Sequence, residues 1–342
     1  MDLTYVFQTE HYAAFSPLIV LYFFLAGLSA GLFLLSSLSP VFGLKHFKPL
    51  AKPSCAMALA TLIPGLLALI FDLGQPLRAL TLFFRVNPHS VMSWGSFILL
   101  IYGIVCLIYA HFLWRENDKV KVWGKVGVIF AIALGLYTGF LLAVVPGRPL
   151  WNSALLPILF LTSGWVAALS LISLLQGFLP KALQLEDGNA KDALHGMKVW
   201  MVVLEILLIA FHFISVLTLN GAGRAVIMNL LSGTKAFSFV LVQVVLGMVL
   251  PLAIVLFSKG SARALGMSGL LSLIGVFALR YNFILGGEEL PNTGTLLFRF
   301  EGSAWISVTV LLVLTVVLIL IMPRLLGNLM KGKTTTQIGE SF

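Results

Sequence analysis

The stretch Pro17-LIVLYFFLAGLSAGLFLLSS-Leu38 carries no charged side chain from end to end. A helix needs about 20 apolar residues to cross a bilayer core roughly 30 Å thick, so this segment is long enough to span. It is apolar all round, with Gly27, Ala30 and Gly31 in its middle. Small residues of that kind let neighbouring helices approach closely in a membrane.

Eight further runs of the same character follow, giving candidate spans at 17–39, 54–72, 90–114, 124–145, 155–178, 199–217, 236–258, 264–285 and 303–323. The whole chain of 342 residues is 59% hydrophobic and only 10% charged, with mean hydropathy +1.03, far from a soluble domain. Helices are required because unpaired backbone groups in lipid cost several kcal/mol each. Barrel strands would be shorter and would alternate strictly. The expected fold is therefore an all-α integral membrane protein of about nine transmembrane helices, arranged as two four-helix bundles plus one extra helix. The membrane domain is expected over 1–323, with a short polar cytoplasmic tail at 324–342.

Basic residues decide the orientation. Alternate connections (40–53, 115–125, 179–198, 259–263 and the tail) hold 15 Lys and Arg, the opposite set holds 6, and Arg280 falls inside a span. The C-terminus is thus expected in the cytoplasm and the N-terminus outside. The net charge of +9 is mostly this bias, spread over five loops, and not a nucleic-acid patch. No Lys or Arg precedes the first apolar run, so no cleavable signal peptide is expected.

Pro157-ILFLTSGWVAALSLISLL can be laid beside the first span with Gly164 matching Gly27. Both segments run inward, so any repeat is parallel, four spans plus four with a ninth appended. Two small-residue-rich helices also resemble one another by chance.

Polar residues inside the spans gather toward the outer leaflet. Asp72 ends the second span, and Tyr22 is shallow in the first. Tyr137 lies roughly 12 Å deep, about 8 residues below the outer end of the fourth at 1.5 Å per residue. His212 and Arg280 each lie about five residues below the outer ends of the sixth and eighth spans. Ionisable groups at such depths usually face the bundle interior and mark a pathway or ligand site. Structural explanations compete: Arg280 pairs with Asp72 or extends outward along its stem, His212 is an interhelical hydrogen-bond donor, and Tyr137 is packing. Glu205 is deeper, seven residues before His212 on a similar face, and reads equally as a proton-relay group or a helix-packing bond.

Cys55 and Cys106 form no CxxC, haem-attachment or iron–sulfur spacing. The in-span histidines His111 and His212 sit near opposite leaflets, which does not suit bis-His haem. No haem or iron–sulfur cluster is expected in this chain. The outer loop after the second span is dense in turn formers and aromatics, from Phe71-Asp72-Leu73-Gly74-Gln75-Pro76-Leu77-Arg78 to Met92-Ser93-Trp94-Gly95. It suits the docking of a periplasmic partner.

Six stretches in order carry a family resemblance: YFFLAGLSAG (22–31), FDLGQPLR (71–78) with NPHSVMSWG (87–95), YTGFLLA (137–143), WNSALLPILFLTSG (151–164), LEILLIAF (204–211) and LRYNFILGG (279–287). Together they resemble the membrane subunits of the polysulfide reductase (NrfD) family. Where that family carries an Asn and a His near the start of its first helix, Tyr22 takes the place of the His and no Asn is nearby.

The resemblance implies a haem-free subunit of the bacterial inner membrane that binds a quinone, menaquinone or ubiquinone, near the outer face. It implies electron exchange with a periplasmic four-cluster iron–sulfur subunit serving a molybdopterin or haem catalytic subunit. Tyr137 of YTG is then expected to hydrogen-bond the quinone, and Asp72 of DLG to accept its proton. Glu205 and His212 become relay groups, while Tyr22, Arg280 and Arg78 complete the cofactor site. Two rival readings are an ion-coupled transporter, which typically shows inverted repeats and a midplane site, and a structural anchor without quinone.

Overall fold

A computed structural model of the protein describes residues 15–73, 87, 90–178, 188–219, 221–258, 261–289 and 302–331. They form α1 (Pro17–Ser37), a 3-10 turn (Lys45–Phe47) leading into α2 (Lys48–Asp72), α3 (Val91–Trp114), α4 (Lys119–Ala143), α5 (Leu155–Phe178) and α6 (Gly188–Leu219). Then come α7 (Gly221–Ser232), α8 (237–257), α9 (Ala262–Glu289) and α10 (Gly302–Lys331). Helix α8 is wound as a π-helix over Phe237–Val249 and as an α-helix over Leu250–Phe257. Pro251, which cannot donate to the carbonyl four residues back, stands just past that change. No strand occurs among the described residues, and nine helices are long and apolar enough to cross a membrane.

The exception is α7, a short helix lying in the connection expected at 218–235, where no element was anticipated. Several helices also exceed their expected bounds, three of them by the most. Helix α2 begins at Lys48 with Pro53 and Pro64 inside it, and α6 begins at Gly188. Helix α10 continues through Pro323 to Lys331, where a polar tail was expected from 324. Proline ends helices less reliably in membrane proteins because neighbouring groups re-satisfy the freed carbonyls.

Helix α1 is the centre of the molecule. Ser16 caps it by accepting from the Leu18 amide at 3.0 Å, and Pro17 stands at its first turn. Every one of its residues is buried, as expected for a helix apolar on all faces. It packs on α2 most extensively, then on α5, α4, α9 and α10. Helix α5 packs on α9, α4 and α6, α9 on α8, and α10 on α2.

The crossing of α1 and α5 is made by glycine against glycine. A Cβ added at Gly164 would fall 2.6 Å from the Gly27 carbonyl oxygen, and one at Gly27 would fall 3.6 Å from the Gly164 Cα. The two residues matched in register along the sequence are therefore the two that touch.

A hydrogen-bonded ladder ties α1 to α2 and α3 with a seven-residue repeat on each. Ser29 Oγ donates to the Ala58 carbonyl (2.8 Å), and Tyr102 Oη donates to the Ser29 carbonyl (3.0 Å). One repeat further, Ser36 Oγ donates to the Ala51 carbonyl (2.6 Å) and Tyr109 Oη to the Ser36 carbonyl (3.1 Å). Each interhelical bond of this type contributes about 1 kcal/mol. Tyr102→Phe is expected to lower stability by about 1 kcal/mol, and Tyr102→Phe with Tyr109→Phe by about twice that. Detergent-induced unfolding of the purified protein measures both.

Candidate functional site

One end of the bundle, the end opposite the basic loops, brings together groups from α1, α2, α3 and α4. The Ser16 hydroxyl that caps α1 also donates to Asp72 Oδ1 at the end of α2, so one side chain fixes the acid to the entry of the central helix. Asp72 is half-buried.

Tyr22 lies on α1, 3% exposed, close to Tyr137 of α4, 9% exposed. The Tyr137 ring fills the space left by Gly95 on α3, where any Cβ would collide with it. This gives Gly95 of the MSWG motif a geometric reason. Neither tyrosine hydroxyl has a hydrogen-bond partner among the described residues. Tyr137 also borders a cavity of about 270 Å³ with Val91, Trp94, Ile98, Ala133, Leu136 and Phe140. Trp94 and Phe140 are more than half exposed, so the cavity opens sideways to where lipid lies.

Arg280 is fully buried and does not pair with Asp72. Its Nη2 donates to the Phe160 carbonyl at 2.8 Å, and its guanidinium carbon stands 3.8 Å from the centre of the Phe160 ring. A Cβ at Gly27 would come within 3.2 Å of Nη2, so the glycine crossing also makes room for the guanidinium. That competing explanation fails for a simple reason: Asp72 stands at the end of α2 beside Ser16, whereas Arg280 reaches inward to the α1–α5 crossing. Nor does Arg280 extend toward solvent. The charge that acts on it is Glu205 on α6, itself 1% exposed.

His212 Nε2 lies 3.0 Å from the Leu150 carbonyl. A carbonyl only accepts, so Nε2 carries a proton and Nδ1 is left as a buried acceptor without a partner. Its ring centre is 5.3 Å from that of Phe283.

The candidate residues therefore fall into two groups. Tyr22, Tyr137 and Asp72 gather toward the Ser16 end of α1, while Arg280, Glu205 and His212 lie between α5, α6 and α9. Arg78 and most of the expected docking loop (74–86, 88 and 89) lie outside the described residues.

Other polar contacts were missed. Arg148 donates to the Glu288 carbonyl, and Glu288 Oε2 accepts from the Phe15 amide at 3.2 Å. Burial lowers the Arg148 pKa from its usual value, against the opposing pull of Glu288. Trp151 donates to the Phe283 carbonyl, with its ring seated over Gly287. Asn282 bridges Ser238 and Gln243, and Lys198 is buried with its Nζ on Ser268. These link residues more than 35 positions apart, and only the WNS and LGG motifs flagged any of them.

Among the described residues, nine long apolar helices, one of them buried at the centre of the rest, with a lipid-facing cavity and polar groups at one end, define a polytopic integral membrane protein. The protein belongs to a family described as "Polysulphide reductase, NrfD", whose model matches residues 6–292. It is 26% identical to the third subunit of the selenate reductase of Mesobacillus selenatarsenatis, over 95% of this chain and 88% of that protein. It is 30% identical to the third polypeptide of the polysulfide reductase of Wolinella succinogenes and 30% identical to protein NrfD of Escherichia coli, each over 79% of this chain and 93% of the relative. The protein is thus a multi-pass subunit of the bacterial inner membrane, of the class that serves multi-subunit respiratory oxidoreductases.

Proposed function

We propose that the protein is the quinone-reactive subunit of such a complex, passing electrons between the quinone pool and an iron–sulfur partner at its outer face. The carrying observation is the unpartnered hydroxyl of Tyr137, which borders an apolar cavity open to lipid and lies close to Tyr22. A ligand with an acceptor oxygen gives that hydroxyl a partner, and an isoprenoid tail suits the apolar lining. A quinone supplies two-electron chemistry coupled to two protons.

The protein's own residues bind, orient and move the protons. The Tyr137 hydroxyl donates to an oxygen of the head group, and Gly95 holds the ring in place by leaving it room. Asp72, half-buried and held by Ser16, acts as general base for a quinol hydroxyl. The iron–sulfur partner and its molybdopterin or haem enzyme dock on the outer connection that contains Arg78.

Tyr137→Phe removes one hydrogen bond and keeps the ring. The expected result is about tenfold weaker binding of a fluorescent quinol-site inhibitor, near 1.4 kcal/mol, at one site per molecule. Unchanged affinity in this variant takes Tyr137 out of the site. No saturable binding to the folded wild type removes the quinone reading and favours a structural anchor.

A further inference from the structure

The buried polar atoms without a partner are unevenly placed. Among the described residues all but Ser54 Oγ belong to α5, α6, α8, α9 or Ser258 at the end of α8. Ser54 stands on α2, while α1, α3 and α4, among which Tyr22 and Tyr137 lie, carry none of these atoms.

The strongest line of these groups runs along α6. Lys198, Glu205 and His212 recur every seventh residue, each at most 1% exposed, and together cover about 21 Å at 1.5 Å per residue. Each meets α9, which starts from the same end of the bundle. Lys198 Nζ donates to Ser268 Oγ (3.0 Å), which donates to the Pro251 carbonyl (3.0 Å). Glu205 faces Arg280, and His212 packs on Phe283. Ser268, Ser272 and Arg280 stand four and eight residues apart, on one side of α9. The two helices meet through these side chains and not through an extended backbone contact.

Helix glue would leave such atoms satisfied. Here Glu205 Oε1, His212 Nδ1, Ser272 Oγ and Arg280 Nε and Nη1 all lack partners. Buried polar atoms in proteins are otherwise bonded to protein or to internal water. At the lower mouth, half-buried His195 lies near both Lys198 and the exposed Asp192.

We propose that α6 and α9 enclose a hydrated proton path that enters at Asp192 and His195, passes Lys198 and Ser272, and reaches the Glu205 carboxyl beneath Arg280. A proton from the cytoplasmic water is taken by Glu205 Oε1, which neutralises the carboxylate while Arg280 keeps its charge. It leaves through water toward His212 Nδ1, and no electrons move. Arg280 touches Gly27, five residues below Tyr22 on α1, so the path ends next to the helix that carries the candidate quinone ligand. The inference rests on the orphaned atoms and holds whether or not quinone binds.

Infrared hydrogen–deuterium exchange on the full-length protein in nanodiscs tests it. The protonated-carboxyl band lost in Glu205→Gln reports Glu205, and Glu205→Asp, which shifts the band, serves if the Gln variant does not fold. Exchange of that band within the mixing time of a D₂O perfusion is expected. Lys198→Met is expected to slow it about tenfold or more, the effect of losing one polar rung. A band that stays unexchanged for hours, or no Glu205 band because the group is permanently ionised, overturns the path. Exchange in Lys198→Met as fast as in the wild type overturns its cytoplasmic entry. Quinone-analogue binding, measured on the same nanodiscs, stands or falls separately.

Discussion

Asp72→Asn is expected to leave the complex assembled and to cut quinol-linked turnover by about 100-fold or more, the usual contribution of a positioned general base. The substitution isolates proton acceptance from structure. Asp72 Oδ1 accepts from Ser16, and an asparagine Oδ1 accepts the same bond, so the cap of α1 and the end of α2 stay joined. What disappears is the ability to take a proton. Turnover of quinol by the assembled complex, beside the affinity of a quinol-site inhibitor, checks the result. Full turnover with intact assembly removes Asp72 from the chemistry. Lost assembly instead makes the Ser16–Asp72 bond structural.

The largest effect on folding is expected at the glycine crossing. A Cβ at Gly31 would collide with the Gly164 carbonyl oxygen and fall 2.9 Å from the Ala168 Cβ. Both neighbours are fixed, one as backbone and one as a stub with no rotamer to change. Gly31→Ala is expected to lower stability by about 3 kcal/mol, the upper part of the range for overpacking, and Gly31→Val to prevent accumulation of folded protein. Gly147→Ala is the control, since a Cβ there meets nothing within 4 Å; its effect is expected within about 0.5 kcal/mol. Thermal unfolding in detergent compares the three. A Gly31→Ala protein as stable as Gly147→Ala means that α1 and α5 are not pressed together.

The number and helical character of the spans were legible because each is a single apolar run whose length answers the thickness of a bilayer. Depth was legible too. Counting residues from span ends placed Asp72 at the end of its span, with Tyr22 and Tyr137 at increasing depth in the same half of the bilayer, and the two tyrosines lie close together. Pairing was not legible. Arg280 and Asp72 have opposite charge and similar predicted depth, yet the guanidinium runs to Phe160 and Glu205. Which face of α9 turns toward α6 is decided by glycines at other contacts, such as Gly275 against Gly247 and Gly266 against Gly177. Lys198 was counted among loop cations at the expected edge of a span starting at 199. Helix α6 begins at Gly188, which carries that lysine into the interior. Helix α7 was hidden because Gly221 and Gly223 at its start read as loop residues.

The complete burial of α1 also bears on the order of synthesis. Of the nine spans it is made before the other eight, and all its faces are eventually covered by later helices, ending with α9 and α10. At roughly 5–20 residues per second, the roughly 250 residues between Gly27 and Arg280 take on the order of 10 to 50 s. For that time α1 must rest in lipid or in the insertion machinery with its serines and glycines uncovered. A mean hydropathy of 2.5 with no charge lets it wait there alone. The helix that ends as the most protein-enclosed part of the molecule must therefore begin as one that lipid accepts unaided.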